Sequence, residues 1–266
     1  MIKNLVIGSE GFIGKSLCEF LEKKGEKVIR FDIARSEDED ARKAILPFDE
    51  CDRVYFLAWE VGGAKYLYQK STQLHQMNWN VELLKNVMFQ LQKSQTPFIF
   101  TSSQLAEEID TVYGASKRLG ELWTQQLGGA CVRFWNIYGA LEETTEKSHV
   151  AGDFVNQAIT QGEIKMMTTG EETRQFIHIN DACEGLRHIM EKKLYGTIYD
   201  ITSFEWTSVK QLADLIGKHA NAKVIPGPSI GSTRKITATM GKPHGWTAKI
   251  SLEDGVKMMI DEAKNQ

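Results

Sequence analysis

Residues 3–24 read KNLVIGSEGFIGKSLCEFLEKK, and the order of residue types in this stretch decides the fold. A short apolar run bounded by glycine has the character of a buried strand. Gly8, Gly11 and Gly14 follow in GxxGxxG spacing, with Phe12 and Ile13 between the last two, and GKSLCEFLEKK then reads as a helix. Strand, tight glycine turn and helix N-terminus together make a cradle whose free N–H groups and dipole attract a pyrophosphate. The next strand, KVIRFD, ends in Asp32, 24 positions after Gly8. An acid there accepts hydrogen bonds from both hydroxyls of an adenosine ribose and repels a 2′-phosphate. The pattern predicts NAD over NADP, with Arg35 the one nearby residue that favours the phosphorylated form.

The same rhythm runs outward from this unit. RVYFLA, PFIFTS and ACVRFW read as further buried strands, alternating with helices in TQLHQMNWNVELLKNVMFQLQK and SKRLGELWTQQL. Such alternation means βαβ units, hence an α/β, Rossmann-like, doubly wound parallel sheet with ligands at the carboxyl ends of its strands. After about residue 140 the helices VAGDFVNQAIT, INDACEGLRHIMEK, SVKQLADLIGKHA and SLEDGVKMMIDEAK are separated by proline-containing loops such as IPGPSIGS. The expected division is a dinucleotide core over 1–140, with later segments contributing to it, and a smaller mixed substrate lobe over 141–266.

Composition narrows the function classes. The chain has 266 residues, 42% hydrophobic and 25% charged, with a formal net charge of -3. That is enough for a sizeable core, and without a basic stripe nucleic acid is not an expected partner. Cys18, Cys51, Cys131 and Cys183 are far apart with no CxxC pair, which fits a reduced cytoplasmic protein better than disulfides or a metal site. No apolar run reaches membrane-spanning length.

VYGASK, residues 112–117, places Tyr113 and Lys117 just over one helical turn apart, so both project from one face. On its own the pair reads as two structural side chains that share a helix face, since such spacings are common by chance. The other motifs decide. GxxGxxG followed by YxxxK resembles the short-chain dehydrogenase/reductase superfamily. Further residues resemble its extended branch, the NAD-dependent epimerase/dehydratase family acting on nucleotide sugars. FLAWEVGG is similar to that family's LAA segment after the third strand, FIFTSS to the strand ending in its catalytic hydroxyl, RFWNIYG to R-x-x-N-x-Y/V-G, and TRQFIHINDA to RDFIHVDD.

The resemblance implies NAD as cofactor, a nucleotide-diphosphate sugar as substrate and a homodimer formed through two helices. It implies Ser103, Tyr113 and Lys117 as catalytic residues, with Ser102 the rival of Ser103. Leu57 and Ala58 join the cofactor site, which also includes Gly8, Gly11, Phe12, Ile13, Gly14, Asp32, Tyr113 and Lys117. Asn80, Ser103, Asn136, Arg174 and Arg234 fall to the substrate. A free tyrosine, with a pKa of about 10, is a poor base near neutrality. A nearby ammonium and a positive nicotinamide would lower that value. His178 reads as a packing residue, while Lys147 and His149 sit in a segment that would cover the sugar.

Departures from the pattern shape the expected reaction. Only 21 residues separate Asp32 from Val54, which points to a more open adenine pocket. Where family dehydratases carry Asp-Glu after the catalytic hydroxyl, this chain has Gln104 and Leu105. Leu105 also stands where the 3,5-epimerases have cysteine, and only Glu107 and Glu108 are left as substitutes. The expectation is hydride chemistry alone: a C4 epimerase working through a keto intermediate, with a dehydrogenase or 4-keto reductase as alternative. A dinucleotide-binding sensor is the reading of another class, although a sensor would have no use for Ser103, Tyr113 and Lys117.

Overall fold

Leu5, Val6 and Ile7 are fully buried, and the strand they form is interior to the sheet, with neighbours on both sides. In the computed structural model, which describes residues 1–62, 64–139, 149–231 and 240–265, β1 (Lys3–Ile7) runs into α1 (Phe12–Lys23) and returns as β2 (Lys27–Phe31). Then come β3 (Arg53–Phe56), α2 (Ala64–Tyr68), α3 (Lys70–Ser94), β4 (Phe98–Ser103), α4 (Val112–Gln126) and β5 (Ala130–Phe134). β6 (Asn136–Tyr138), α5 (Val150–Gln161), β7 (Glu163–Lys165), β8 (Thr173–His178), α6 (Ile179–Glu191) and β9 (Ile198–Ile201) follow. The chain closes with β10 (Trp206–Ser208), α7 (Val209–Ala220), β11 (Lys223–Ile225) and α8 (Leu252–Asn265).

Six strands form a parallel sheet in the order β2-β1-β3-β4-β5-β9. Its two faces follow from side-chain alternation along each strand. Val6, Tyr55, Ile99 and Val132 pack with Leu17, Leu21, Leu186 and Ile189 of α1 and α6. Leu5, Ile7, Val54, Phe56 and Phe100 pack with Leu84, Val87 and Met88 of α3. The result is a doubly wound, Rossmann-like sheet. Its order reverses between β1 and β3, so their carboxyl ends open a crevice there.

A third core joins Phe154, Val155, Phe176, Leu212, Ile216, Val256 and Met259 of α5, β8, α7 and α8. Beside it lie the small sheets β10-β8-β6 and β11-β7. β3 stops at Phe56, two residues before the expected end. The N–H groups of Leu57 and Ala58 both donate to the Ile7 carbonyl, at 2.9 and 2.8 Å, which turns the chain out of the sheet. Among the described residues no helix is long and apolar enough to cross a membrane, and the four cysteines are free thiols.

Candidate active site

The crevice deepens into a cavity of about 780 Å³ that runs past the glycine turn, the ends of β3 and β4, and the start of α4. Gly8 has φ +92°, and a Cβ there would lie 2.4 Å from the Ala58 nitrogen. A Cβ on Gly14 would lie 2.0 Å from the Gly8 carbonyl oxygen, so packing within the chain explains these two glycines. Gly11 differs: a Cβ would meet nothing closer than 3.5 Å. The space it leaves lies over the N-terminus of α1, where no side chain caps the helix and no acid occupies the first turn. This is a cradle for an anion, and it fits a dinucleotide pyrophosphate.

Asp32 accepts from the N–H groups of Glu10 and Ala34, at 3.0 and 2.9 Å, one on each carboxylate oxygen. Lone pairs remain on both oxygens for a ribose diol. Arg35 is held by Glu39 at 3.2 Å and Glu10 at 3.7 Å, so its charge is already matched at this end of the cavity. The short segment after Asp32 still walls the cavity: Asp40 takes a two-pronged hydrogen bond from Arg42, at 2.9 and 2.6 Å, and Arg42 lies 3.4 Å from the Trp79 ring centre. That ion pair holds the Asp40 carboxyl below the usual carboxylate range.

At the other motif, Ser102 and Ser103 alternate across β4. The Ser102 hydroxyl donates to Glu121 at 2.7 Å, within a buried network in which Arg133 bonds the same carboxylate at 2.6 and 2.8 Å. Ser103 instead accepts from the Leu105 N–H at 3.2 Å and hydrogen-bonds Tyr113. Thr111 caps α4 through the Gly114 N–H at 3.0 Å. Gly114 is required because a Cβ would fall 2.2 Å from the Glu108 carbonyl oxygen, where α4 presses on the turn after β4.

Lys117 Nζ donates to the Thr101 carbonyl at 2.8 Å and lies 3.8 Å from the centre of the Trp59 ring. Burial pushes its pKa well down, opposed by the Glu121 charge. Tyr113 does not follow the expected direction. Burial pushes its phenol up to about 12, and the Ser103 hydrogen bond offsets only part of the rise. The ammonium is 5.9 Å from the Tyr113 ring centre and turned to Thr101 and Trp59, so in the protein alone desolvation outweighs it.

Asn136 and Arg174 line the same cavity. The Asn136 Oδ1 is buried without a hydrogen-bond partner, and an Arg174 Nη1 donates to the Thr173 carbonyl at 2.8 Å. Asn80 is placed differently. Its side chain accepts from the Glu60 N–H at 2.8 Å and donates to the Glu60 carbonyl at 3.1 Å, pinning the segment after β3 from behind. Arg234 and Lys147 lie outside the described residues. His178 caps α6 through the Asn180 N–H at 3.2 Å and meets the Tyr138 ring edge-on, a packing role. Glu107 is committed to buried Arg133, whereas Glu108 lines the cavity. Trp59, Trp79, Glu60 and Trp206 also line it, and none of them was singled out in the sequence. Only the Trp in LAWE, standing where the family has LAA, carried a signal.

Comparison with known proteins gives the same answer. Residues 4–202 match the sequence model of the NAD dependent epimerase/dehydratase family. The UDP-N-acetyl-alpha-D-glucosaminuronate decarboxylase of Bacillus cytotoxicus is 24% identical over 267 residues, covering 84% of this chain and 83% of its own. The UDP-glucose 4-epimerase of Thermotoga maritima, solved with UDP-glucose, superposes with a TM-score of 0.79 at 20% identity over 99% of both chains. The Bordetella bronchiseptica enzyme WbmF, solved with NAD+, gives 0.79 at 21% identity over 99% of this chain and 93% of its own. With the glycine cradle, Asp32 and the Ser103, Tyr113 and Lys117 cluster along one cavity, the chain belongs to the NAD dependent epimerase/dehydratase family, and NAD is its cofactor.

Proposed function

We propose that the protein epimerises a nucleotide-linked sugar at C4 through a keto intermediate. One observation carries the reading: Ser103, Tyr113, Lys117, Asn136 and Arg174 share a cavity with the dinucleotide cradle, while Gln104 and Leu105 stand beside Ser103. Neither glutamine nor leucine moves a proton to or from carbon, so dehydration and 3,5-epimerisation are disfavoured. NAD, when bound, accepts and returns the hydride and brings a positive ring charge. Tyr113 takes the hydroxyl proton as the carbon is oxidised and gives it back on reduction. Ser103 holds the same sugar oxygen, and Lys117 supports the phenolate and a ribose hydroxyl. Arg174 offers a guanidinium fork to the diphosphate, and Asn136 an acceptor to the sugar or nucleotide. The protein works as a homodimer paired through α3 and α4.

A second reading is favoured by the sequence relatives, which include the Bacillus decarboxylase and a UDP-glucuronic acid decarboxylase of Arabidopsis thaliana, 24% identical over all of this chain and 69% of its own. Oxidation at C4 turns a C5 carboxylate into a β-keto acid, which loses carbon dioxide without a base at carbon and leaves a C4–C5 enolate that takes a proton from water at C5 before C4 is reduced. Residues competent for C4 oxidation therefore serve both outcomes. A screen of UDP-, GDP-, dTDP- and CMP-sugars, including the uronic acids, in deuterated water decides between them. The epimerase inverts one centre without taking up deuterium, because the hydride it removed is the one it returns. Carbon dioxide release with deuterium at C5 identifies the decarboxylase, and net reduced NAD a dehydrogenase. Tight NAD binding with no turnover on any sugar would replace both with the sensor.

A further inference from the structure

The tryptophan of LAWE stands where the family segment has alanine, and its ring is the nearest of three around Lys117. The segment bearing it is clamped at both ends, by the Ala58 N–H on Ile7 at 2.8 Å and by Asn80 on the Glu60 backbone. Phe100 packs edge-on against Trp59, with ring centres 5.6 Å apart. The Trp59 face is therefore fixed at the cavity wall, 3.8 Å from Lys117 Nζ.

Among the described residues no carboxylate comes within ion-pairing distance of that ammonium. Glu121, one turn further along α4, is occupied by Ser102, Arg118 and Arg133. Tyr113 presents a neutral phenol, Glu60 is bonded to the Tyr66 hydroxyl at 2.5 Å, and Glu107 is paired with Arg133. Glu108, in the turn after β4, lines this end of the cavity as well, with Tyr68 of α2 donating to it at 3.3 Å, and His149 lines the same cavity. The Thr101 carbonyl and the surrounding ring faces remain as what stabilises the charge, and the indole at 3.8 Å is much nearer than the Phe100 ring at 5.1 Å or the Tyr113 ring at 5.9 Å. A desolvated ammonium over tryptophan is the strongest form of this contact, and it favours the ammonium over the amine.

We propose that Trp59 is a positioning residue for Lys117, its indole face holding the side chain against the cavity wall in the charged form. This rests on the reading of Lys117 as the residue that serves the phenolate and the cofactor ribose. An alanine at 59 would supply no such face, so the device belongs to this chain.

The test is NAD affinity as a function of pH, measured by calorimetry on the full chain and needing no substrate. Affinity of the parent should fall on the alkaline side as Lys117 loses its proton. Trp59→Leu should move the midpoint of that fall down by roughly 0.5–1.5 pH units, and Trp59→Phe, which keeps an aromatic face, by clearly less. An unchanged midpoint in a folded Trp59→Leu protein overturns the proposal. Should that variant not fold, polyfluorinated tryptophan, which weakens the π face while nearly keeping its shape, is incorporated into the parent and into Trp59→Phe. The midpoint then moves more in the parent, and equal movement in both overturns the proposal. Lys117→Met separates the two levels. If the alkaline fall persists without Lys117, the reading of the lysine fails and the role of Trp59 falls with it. If the fall disappears with Lys117 but is indifferent to Trp59, only the role of Trp59 fails.

Discussion

Tyr113 and Lys117 are placed against their intrinsic chemistry, one held as a phenol by burial and the other pushed toward the neutral amine. Tyr113→Phe keeps the ring and the helix and removes the proton carrier. Turnover should drop by roughly two to four orders of magnitude, with NAD affinity nearly unchanged, as steady-state kinetics and calorimetry would read. Lys117→Met should lower turnover and NAD affinity yet raise the melting temperature. The sign follows from linkage. A lysine whose folded pKa lies below 10.5 destabilises the fold most at low pH, and that penalty shrinks as pH rises toward 10.5. The gain in melting temperature should therefore be larger at pH 6 than at pH 9, and a lower melting temperature at pH 6 would contradict it. Fixed spacing made these two residues, the three glycines and Asp32 legible in the sequence. Trp59 and Trp79 were not, because an aromatic wall is assembled from separate segments and has no spacing of its own.

α4 carries more than the proposed catalytic pair. Tyr113, Lys117 and Glu121 recur every four residues, and the last anchors the helix on β4 and β5 through Ser102 and Arg133. Arg133 is 1% exposed and Glu121 0%, so removing one partner strands a charge in the core. Glu121→Leu should cost on the order of 3–5 kcal/mol in denaturant unfolding, while Glu121→Leu with Arg133→Met should recover much of it. The Glu121 carboxyl is held below 4.5 by its arginines and Ser102, against burial. Its contribution is present above pH 4.5 and is lost as pH falls through its folded value. A double variant no more stable than Glu121→Leu would show that packing, not stranded charge, sets the loss. At this scale the long helices and five of the six core strands were readable, with ends shifted by a residue or two. The exception is α4, which begins at Val112, four residues before the expected Ser116, while the sixth strand, β9, was not read. Three-residue strands such as β6, β7, β10 and β11 were not, since so short a run carries no period. Nor were the paired roles of Ser102 and Ser103 in chain order alone: β4 alternation turns one hydroxyl to Glu121 and the other to Tyr113.

Over the whole molecule, the cavity was foreseeable from βαβ order, since a sheet whose strand order reverses opens a crevice there. How the strands beyond the central sheet close on it was not: Asn136 and Arg174 were legible only through the motifs RFWNIYG and TRQFIHINDA, and Trp206 comes from the three-residue β10, which carries no period. The outer face of α3 and α4 raises the last question, what covers it. Met77, Val81 and Phe89 on α3 and Leu119 and Leu122 on α4 are 39–50% exposed, and Phe89 meets Trp123 edge-on at 6.1 Å across the two helices. Isolated apolar residues on a surface need no explanation, but a stripe at helical spacing on two packed helices does. The proposed homodimer would cover it with a second copy of the same pair, related by a two-fold axis, in a four-helix contact. Light scattering at micromolar concentration should report a dimer. Phe89→Glu with Leu122→Glu places two like charges in the seam of each copy and should yield a monomer that still binds NAD, because neither residue lines the cavity. A parent that is monomeric, or a doubly charged variant that stays dimeric, would remove α3 and α4 as the interface.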